Sequence, residues 1–263
     1  MRVLLTNDDG IHSVALQYLA HAFIAHKWET YVAAPQTEQS GVGRACCLTR
    51  SISVTPFEEL NCTAWAVNGT PLDCVNLALS YWLKEKQPHI VVSGINWGVN
   101  VSVPAIFSSG TVGGAIEGAA FGIPAIAASQ CLPNQEKHYI QKTINFLSHK
   151  GLMNSINVAI EKIVQYATVI AQDSDNIVHN INFPYPLNEN TQEEITALSN
   201  IMRGKNAPYP AYDALYEKKD DEYHFAIKQE LPMPPPPGTD INALVHGKIS
   251  HSIIDLRQLC SYP

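Results

Sequence analysis

Positive charge is what this chain lacks most. Seventeen Lys and Arg stand against 24 Asp and Glu, a formal net charge of −7, and no basic run occurs. A protein that grips a nucleic-acid backbone needs a cationic footprint, so a nucleic-acid polymer is excluded as a partner. Also missing is any run of about 18 apolar residues, the length that spans a bilayer. The first apolar run is broken at once by Asp8 and Asp9, too soon for a secretory signal. These absences predict a cytoplasmic protein without membrane contact. The six cysteines never fall as Cys-x-x-Cys, which argues against zinc or a disulfide framework and for buried free thiols. Charged residues are 16% against hydrophobic 46%, a balance that excludes disorder and long coiled coils.

The charge that is present lies unevenly. Between Asn61 and Gln135 only Asp73, Lys84, Glu85, Lys86 and Glu117 are charged, so this segment is inside the fold or lines a site. Nine of the 17 prolines fall between Pro184 and Pro237. That composition predicts an irregular extension reaching another subunit, and removing residues after Asn188 is then expected to lower the native mass. The expected organisation is a core over residues 1–183, with an extension and C-terminal segment over 184–263 in the same single domain.

Within the core, strand and helix alternate. Arg2–Thr6 reads as a buried parallel strand, followed by a helix near Ser13–Lys27 with Leu16, Leu19 and Phe23 at helical spacing. Thr30–Ala34 and Thr63–Val67 read as strands. Thr70 caps a helix with Pro71 at its first position and Asp73 at its third, carrying Leu72, Val75, Leu79 and Leu83 to about Lys86. His89–Ser93 and Pro124–Ala128 are further strands, with a helix over Thr111–Phe121 between them. The pattern implies an α/β, Rossmann-like three-layer parallel sheet, with ligands beyond the carboxyl ends of its strands.

Four loops at those ends are richer in polar residues than folding requires. In Thr6-Asn7-Asp8-Asp9-Gly10 two adjacent carboxylates repel each other and stay ionised most easily beside a cation. Such hard oxygen ligands suit Mg²⁺, Mn²⁺ or Ca²⁺. The alternative is that one Asp caps the following helix. The stretch Gln39-Ser40-Gly41-Val42-Gly43 offers a hydroxyl and backbone N–H groups. Ser93–Asn100 offers the side chains of Asn96 and Asn100, the latter equally suited to a left-handed turn. Ser108-Ser109-Gly110-Thr111 leads into a helix whose free N–H groups can cradle phosphate, and Ser109 can also serve simply as its cap. No Lys or Arg stands in these four stretches, so an anion there is held by a cation and by dipoles. Metal-assisted hydrolysis of a phosphate ester is the chemistry that fits. His12, close to the Asp pair, could donate a proton to the leaving group.

At these residues the sequence resembles the SurE-type survival-protein family of 5′/3′-nucleotidases. The resemblance rests on LLTNDDGI (Leu4–Ile11), AAP with QSG (Ala33–Gly41), NGTPLDCV (Asn68–Val75), IVVSGINWGVN (Ile90–Asn100), SGTVGGAIEG (Ser109–Gly118) and GIPAIAAS (Gly122–Ser129). TDINALVHGKIS (Thr239–Ser250) is similar to the family's C-terminal signature. The resemblance implies one divalent cation per subunit (Mg, Mn or Co), held by Asp8, Asp9, Ser40 and Asn96. It also implies a nucleoside monophosphate substrate and assembly as a homodimer or homotetramer through C-terminal extensions. With it, Asp8, Asp9 and Asn96 are expected to be catalytic, and Asn7, Ser109, Gly110 and Thr111 to hold the phosphate. The chain departs from the family pattern at Ser13-Val14-Ala15, Val101–Pro104 and Phe107-Ser108-Ser109, around the pocket and away from the four ligands.

Two other functions remain to be weighed, a receiver-like signalling domain and a nucleotide-binding protein without turnover. A receiver needs an Asp at the end of its central strand, where this chain reads Val92-Ser93-Gly94. A haloacid-dehalogenase-like phosphatase needs Asp-x-Asp, whereas Asp8 and Asp9 are adjacent.

Overall fold

In the computed structural model, which describes residues 1–132, 150–172, 177–199, 216–225 and 234–259, the first apolar run forms β1 (Arg2–Thr6) inside a nine-stranded sheet. β1 pairs in parallel with β2 (Glu29–Pro35) on one side and with β5 (Ile90–Trp97) on the other. Beyond β2 lie β4 (Thr63–Val67) and the antiparallel edge strand β3 (Val54–Pro56). Beyond β5 come β6 (Ala125–Gln130), β7 (Ile177–Phe183), β11 (Ile249–Asp255) and β8 (Glu193–Thr196). β9 (Tyr216–Lys219) and β10 (Glu222–Phe225) form a separate hairpin. The chain runs from β1 to β2 and β4, then returns to the other side through β5. Strand order therefore reverses beside β1, which opens a crevice at the carboxyl ends of β1 and β5.

Alternation along β1 divides two cores. Val3 and Leu5 join the core of α1 (Val14–Ala25) and α5 (Lys150–Ile170) on one face. Leu4 joins that of α2 (Pro71–Leu77) and α4 (Gly110–Ala120) on the other. The three-layer α/β architecture expected from the sequence is present. α5 buries Leu152, Ile156, Ala159, Ile160, Ile163 and Ala167, a stripe at helical spacing. Nine of the eleven residues of α4 are buried, small ones mostly, so that helix sits close against the strands.

The cap at Thr70 forms as expected: Thr70 Oγ1 accepts the Asp73 N–H at 3.2 Å and Asp73 Oδ2 accepts the Thr70 N–H at 2.9 Å. The helix it starts is shorter than expected. After Leu77 it widens into a π-turn over Ala78–Trp82, where Trp82 stacks on Trp65 of β4 with ring centroids 4.4 Å apart. β5 is longer than expected and takes in Gly94–Trp97, which the sequence suggests as loop. Its register on β6 steps from Ser93–Ala127 to Asn96–Ser129, so one extra residue is accommodated on β5. Gly94, at φ +137°, makes this possible, since a Cβ there would lie 2.4 Å from the Ala128 carbonyl oxygen.

The proline-rich C-terminal third contains regular structure that its composition does not announce. β11 inserts between β7 and β8, antiparallel to β7 across six residue pairs. α6 (Asp240–Val245) precedes it. Pro208, Pro210 and Pro232 lie outside the described residues. The thiols also differ from expectation: among the described residues only Cys74 is buried, Cys46 is exposed, and Cys47, Cys62 and Cys131 are half-buried. Cys260 lies outside the described residues. Among the described residues no helix is long and apolar enough to cross a membrane.

Candidate functional site

β1 ends in a turn closed by Asn7. Its buried side chain donates from Nδ2 to the Gly10 carbonyl at 3.0 Å, and its Oδ1 accepts the Gly10 N–H at 3.2 Å. Both polar ends of Asn7, expected on phosphate, are thus engaged within the turn. α1 starts only at Val14, with Ser13 at its N-cap, so neither Asp8 nor Asp9 caps it. Asp8 is buried, and its Oδ1 accepts the Thr111 hydroxyl at 2.6 Å. The Thr111 main chain bonds to the same carboxylate, so Thr111 is committed to Asp8. Asp9 receives the Trp97 N–H, but its Oδ2 is buried without a hydrogen-bond partner.

Burial raises the pKa of both acids above the usual carboxylate range, Asp9 to about 8, with repulsion from Asp8 and then Glu38 adding to the effect. Glu38 is the participant that sequence reasoning missed. It stands two residues before Ser40, and only the return of the loop toward Asp8 gives it significance. That return is fixed by the Gln39 N–H, which donates to the Asp8 main-chain oxygen at 2.7 Å.

Ser40, on the same loop, is exposed and donates its hydroxyl to Glu38 Oε1 at 2.7 Å. Asn96 is half-buried near the end of β5, next to Trp97. Its Nδ2 donates to the Gly98 carbonyl at 3.2 Å, which leaves Oδ1 as the atom suited to a cation. Ser109 caps α4 by accepting the Val112 N–H at 3.1 Å. Gly110 follows, and a Cβ on it would lie 2.8 Å from the Asp8 Cβ. The start of α4 and the Asp turn are therefore in direct contact. Asn100 has no positive φ; Gly94 and Gly98 hold the positive-φ positions of this stretch, and Ser102 beyond it lies at φ +72°. The Asn100 side chain is buried and donates to Ser129 Oγ at 3.0 Å. His12 is exposed, its ring edge-on to Phe57 at 5.2 Å.

Of the expected residues, Asp8 touches Gly110 and Thr111 directly, and Asn7 and Asp9 flank it in the same turn. Ser109 opens the same helix, Asn96 is joined through the neighbouring Trp97 N–H on Asp9, and Ser40 through the Gln39 N–H on Asp8. Among the described residues no three His, Cys, Asp or Glu side chains form a metal-binding group. The available set is two carboxylates, a hydroxyl and an amide oxygen, all hard donors of the kind Mg²⁺ and Mn²⁺ take. The orphaned, buried Asp9 Oδ2 and the buried Asp8 beside it fit a divalent cation.

Comparison with known proteins follows the same line. The family described as "Survival protein SurE" matches residues 3–206. The chain belongs to the SurE family. It is 34% identical over 250 residues to "5'-nucleotidase SurE" of Methylocella silvestris, covering 95% of this chain and 91% of that protein. It is 33% identical over 241 residues to the protein of the same name from Methanosarcina barkeri, covering 87% and 88%. The crystal structure of the SurE protein from Aquifex aeolicus superposes with a TM-score of 0.72 at 27% identity, over 97% of this chain and 94% of that one. The described residues thus carry the family's fold.

Proposed function

We propose that this chain is a divalent-metal-dependent phosphomonoesterase that hydrolyses nucleoside 5′- and 3′-monophosphates to nucleoside and inorganic phosphate. The observation that carries it is the adjacent carboxylates of Asp8 and Asp9 after β1, Asp8 buried against the start of α4 and Asp9 with a buried, unpartnered oxygen. The 5′-nucleotidase names of the relatives support the nucleotide substrate. The family resemblance supports the 3′ activity and a homodimer or homotetramer in the cytoplasm.

Asp8 and Asp9 would hold the cation, with Ser40 and Asn96 as neutral oxygen ligands. A bound Mg²⁺, Mn²⁺ or Co²⁺ supplies Lewis acidity to a phosphoryl oxygen and to water. Ser109 presents its hydroxyl and Gly110 its main-chain N–H to the phosphate at the start of α4, and the dipole of that helix favours the phosphate charge. Thr111 contributes by fixing Asp8, and Asn7 by closing the turn that carries both acids. Water adds to phosphorus, the ester oxygen leaves with a proton, and phosphate is released.

Phosphate release from adenosine 5′- and 3′-monophosphate tests this directly. After dialysis against EDTA no turnover is expected, and Mn²⁺, Mg²⁺ or Co²⁺ should restore it. Full activity in EDTA overturns the metal mechanism, and metal-dependent binding without release identifies a nucleotide-binding protein instead.

A further inference from the structure

Asp240 opens α6, far along the chain from Asp8 and Asp9, and its side chain is wholly buried. Its Oδ2 accepts the Ser102 N–H at 2.6 Å across a separation of 138 residues. Its Oδ1 accepts the Ser199 N–H at 2.9 Å, the Ile241 N–H at 2.8 Å and the Ser199 hydroxyl. The Ser199 carbonyl accepts the Val103 N–H at 3.1 Å. Hydrogen bonds to a charged acceptor in a dry interior are the strong ones, and four on one carboxylate leave it little freedom.

These bonds hold the connection between Asn96 and the phosphate cradle. That connection is gripped near its start by β7, where Asn182 Oδ1 accepts the Asn100 N–H at 2.8 Å and Asn180 Nδ2 donates to the Asn100 carbonyl at 2.8 Å. Ser102 then adopts φ +72°, a conformation that a non-glycine residue keeps only where neighbours enforce it. α3 (Val103–Ser108) begins at the next residue and ends in Ser109, the cap of α4. Its far end is fixed by the Ser108 carbonyl, which accepts the Gly43 N–H at 3.0 Å. Asp240 and Ser199 thus anchor the start of α3.

We propose that Asp240 is a positioning residue: by fixing Ser102 and the start of α3 it sets where Ser109 and Gly110 meet the phosphate, while Asp8 and Asp9 are carried by the Asn7 turn that follows β1 and Asn96 by β5. This rests on the phosphomonoesterase reading above. Asp240→Asn replaces one acceptor with an NH₂ that must face an N–H donor. Ser199→Ala removes a single donor and leaves the Ser199 main-chain bonds.

The test measures Mn²⁺ binding by the protein alone, inorganic phosphate binding by the Mn²⁺-loaded protein, KM and kcat, and the thermal midpoint. In Asp240→Asn, Mn²⁺ affinity should stay within about twofold of wild type. The phosphate dissociation constant and KM should rise together by about tenfold or more, with Ser199→Ala in between. If Asp240→Asn does not fold, Ser199→Ala decides alone, with phosphate affinity weakened at least about twofold and Mn²⁺ affinity unchanged. Wild-type phosphate affinity in a folded variant overturns the proposal, as does a parallel loss of metal and phosphate binding, which would make Asp240 a general scaffold group. Phosphate binding is read without turnover, so an inactive wild type refutes the enzymatic reading and leaves the positioning result interpretable.

Discussion

At the scale of single residues, Asp9 is where function and stability pull apart. A buried carboxylate oxygen without a partner destabilises the fold, and the neighbouring Asp8 adds to the strain. Asp9→Asn should therefore stabilise the metal-free protein by roughly 1–3 kcal/mol at neutral pH while removing its metal affinity. Denaturant unfolding in EDTA beside a Mn²⁺ titration checks both, and a less stable Asn variant would mean that Oδ2 already has a partner. Gly110→Ala probes the other wall. A methyl 2.8 Å from the Asp8 Cβ forces α4 and the Asp turn apart, at a cost of about 1–3 kcal/mol. Mn²⁺ affinity should fall by about tenfold, and an unchanged titration would show that Asp8 is not a ligand. The Asp pair itself is legible in the sequence, because two acids directly after an apolar strand have few structural uses. Its partners are not legible. Thr111 and Glu38 reach the pair only through folding, and nothing local to either sequence position points there.

At the scale of elements, legibility follows punctuation. β1 and β4 match their expected bounds because Asn, Asp or Gly follows each apolar run, and the box of Thr70, Pro71 and Asp73 starts α2 where expected. The end of β5 is not legible, because Gly94 and polar residues there suggest a loop, while the structure uses Gly94 to pass close to β6 and carry the strand on to Trp97. β8 and β11 are hidden for another reason: their pairing is long-range and their buried positions, Ile249 apart, hold Ser, Thr and His. One junction there is testable. Glu193 of β8 accepts from His251 Nδ1 of β11 at 2.6 Å and from the Tyr166 hydroxyl of α5 at 2.7 Å. The His251 bond, more than any other cause, holds the Glu193 carboxyl below its usual range. A carboxyl whose folded pKa is lowered stabilises the fold above its unfolded value, and that contribution is lost as pH falls through the folded one. With the side chain one-third exposed, Glu193→Gln should cost about 1 kcal/mol at neutral pH. The difference from wild type should shrink once pH drops below 4.5, the ordinary value. Urea unfolding across that range measures it, and a difference that stays constant down to about pH 3 would remove Glu193 as its source.

For the whole molecule, proline content and sheet topology give opposite predictions. Composition alone predicts that a chain cut after Asn188 keeps its core and loses only its partners. The sheet predicts a deeper loss. Such a cut removes β11, and β7 then loses all six of its residue pairings on that side. It also removes Ser199 and Asp240, and with them the anchors of Ser102 and Val103. The exposed β7 edge would offer unpaired N–H and C=O groups to any other chain, the usual route to aggregation. Truncation after Asn188 should therefore abolish the cooperative thermal transition and phosphate binding, and leave the protein aggregated rather than in a smaller, ordered assembly. Circular dichroism melting and size-exclusion chromatography distinguish the two outcomes. A truncated chain that melts cooperatively at a lower native mass would show that the C-terminal third is an appendage after all. If the transition is lost, that third, which the sequence presents as a tail, is part of the structure that holds the phosphate cradle in place.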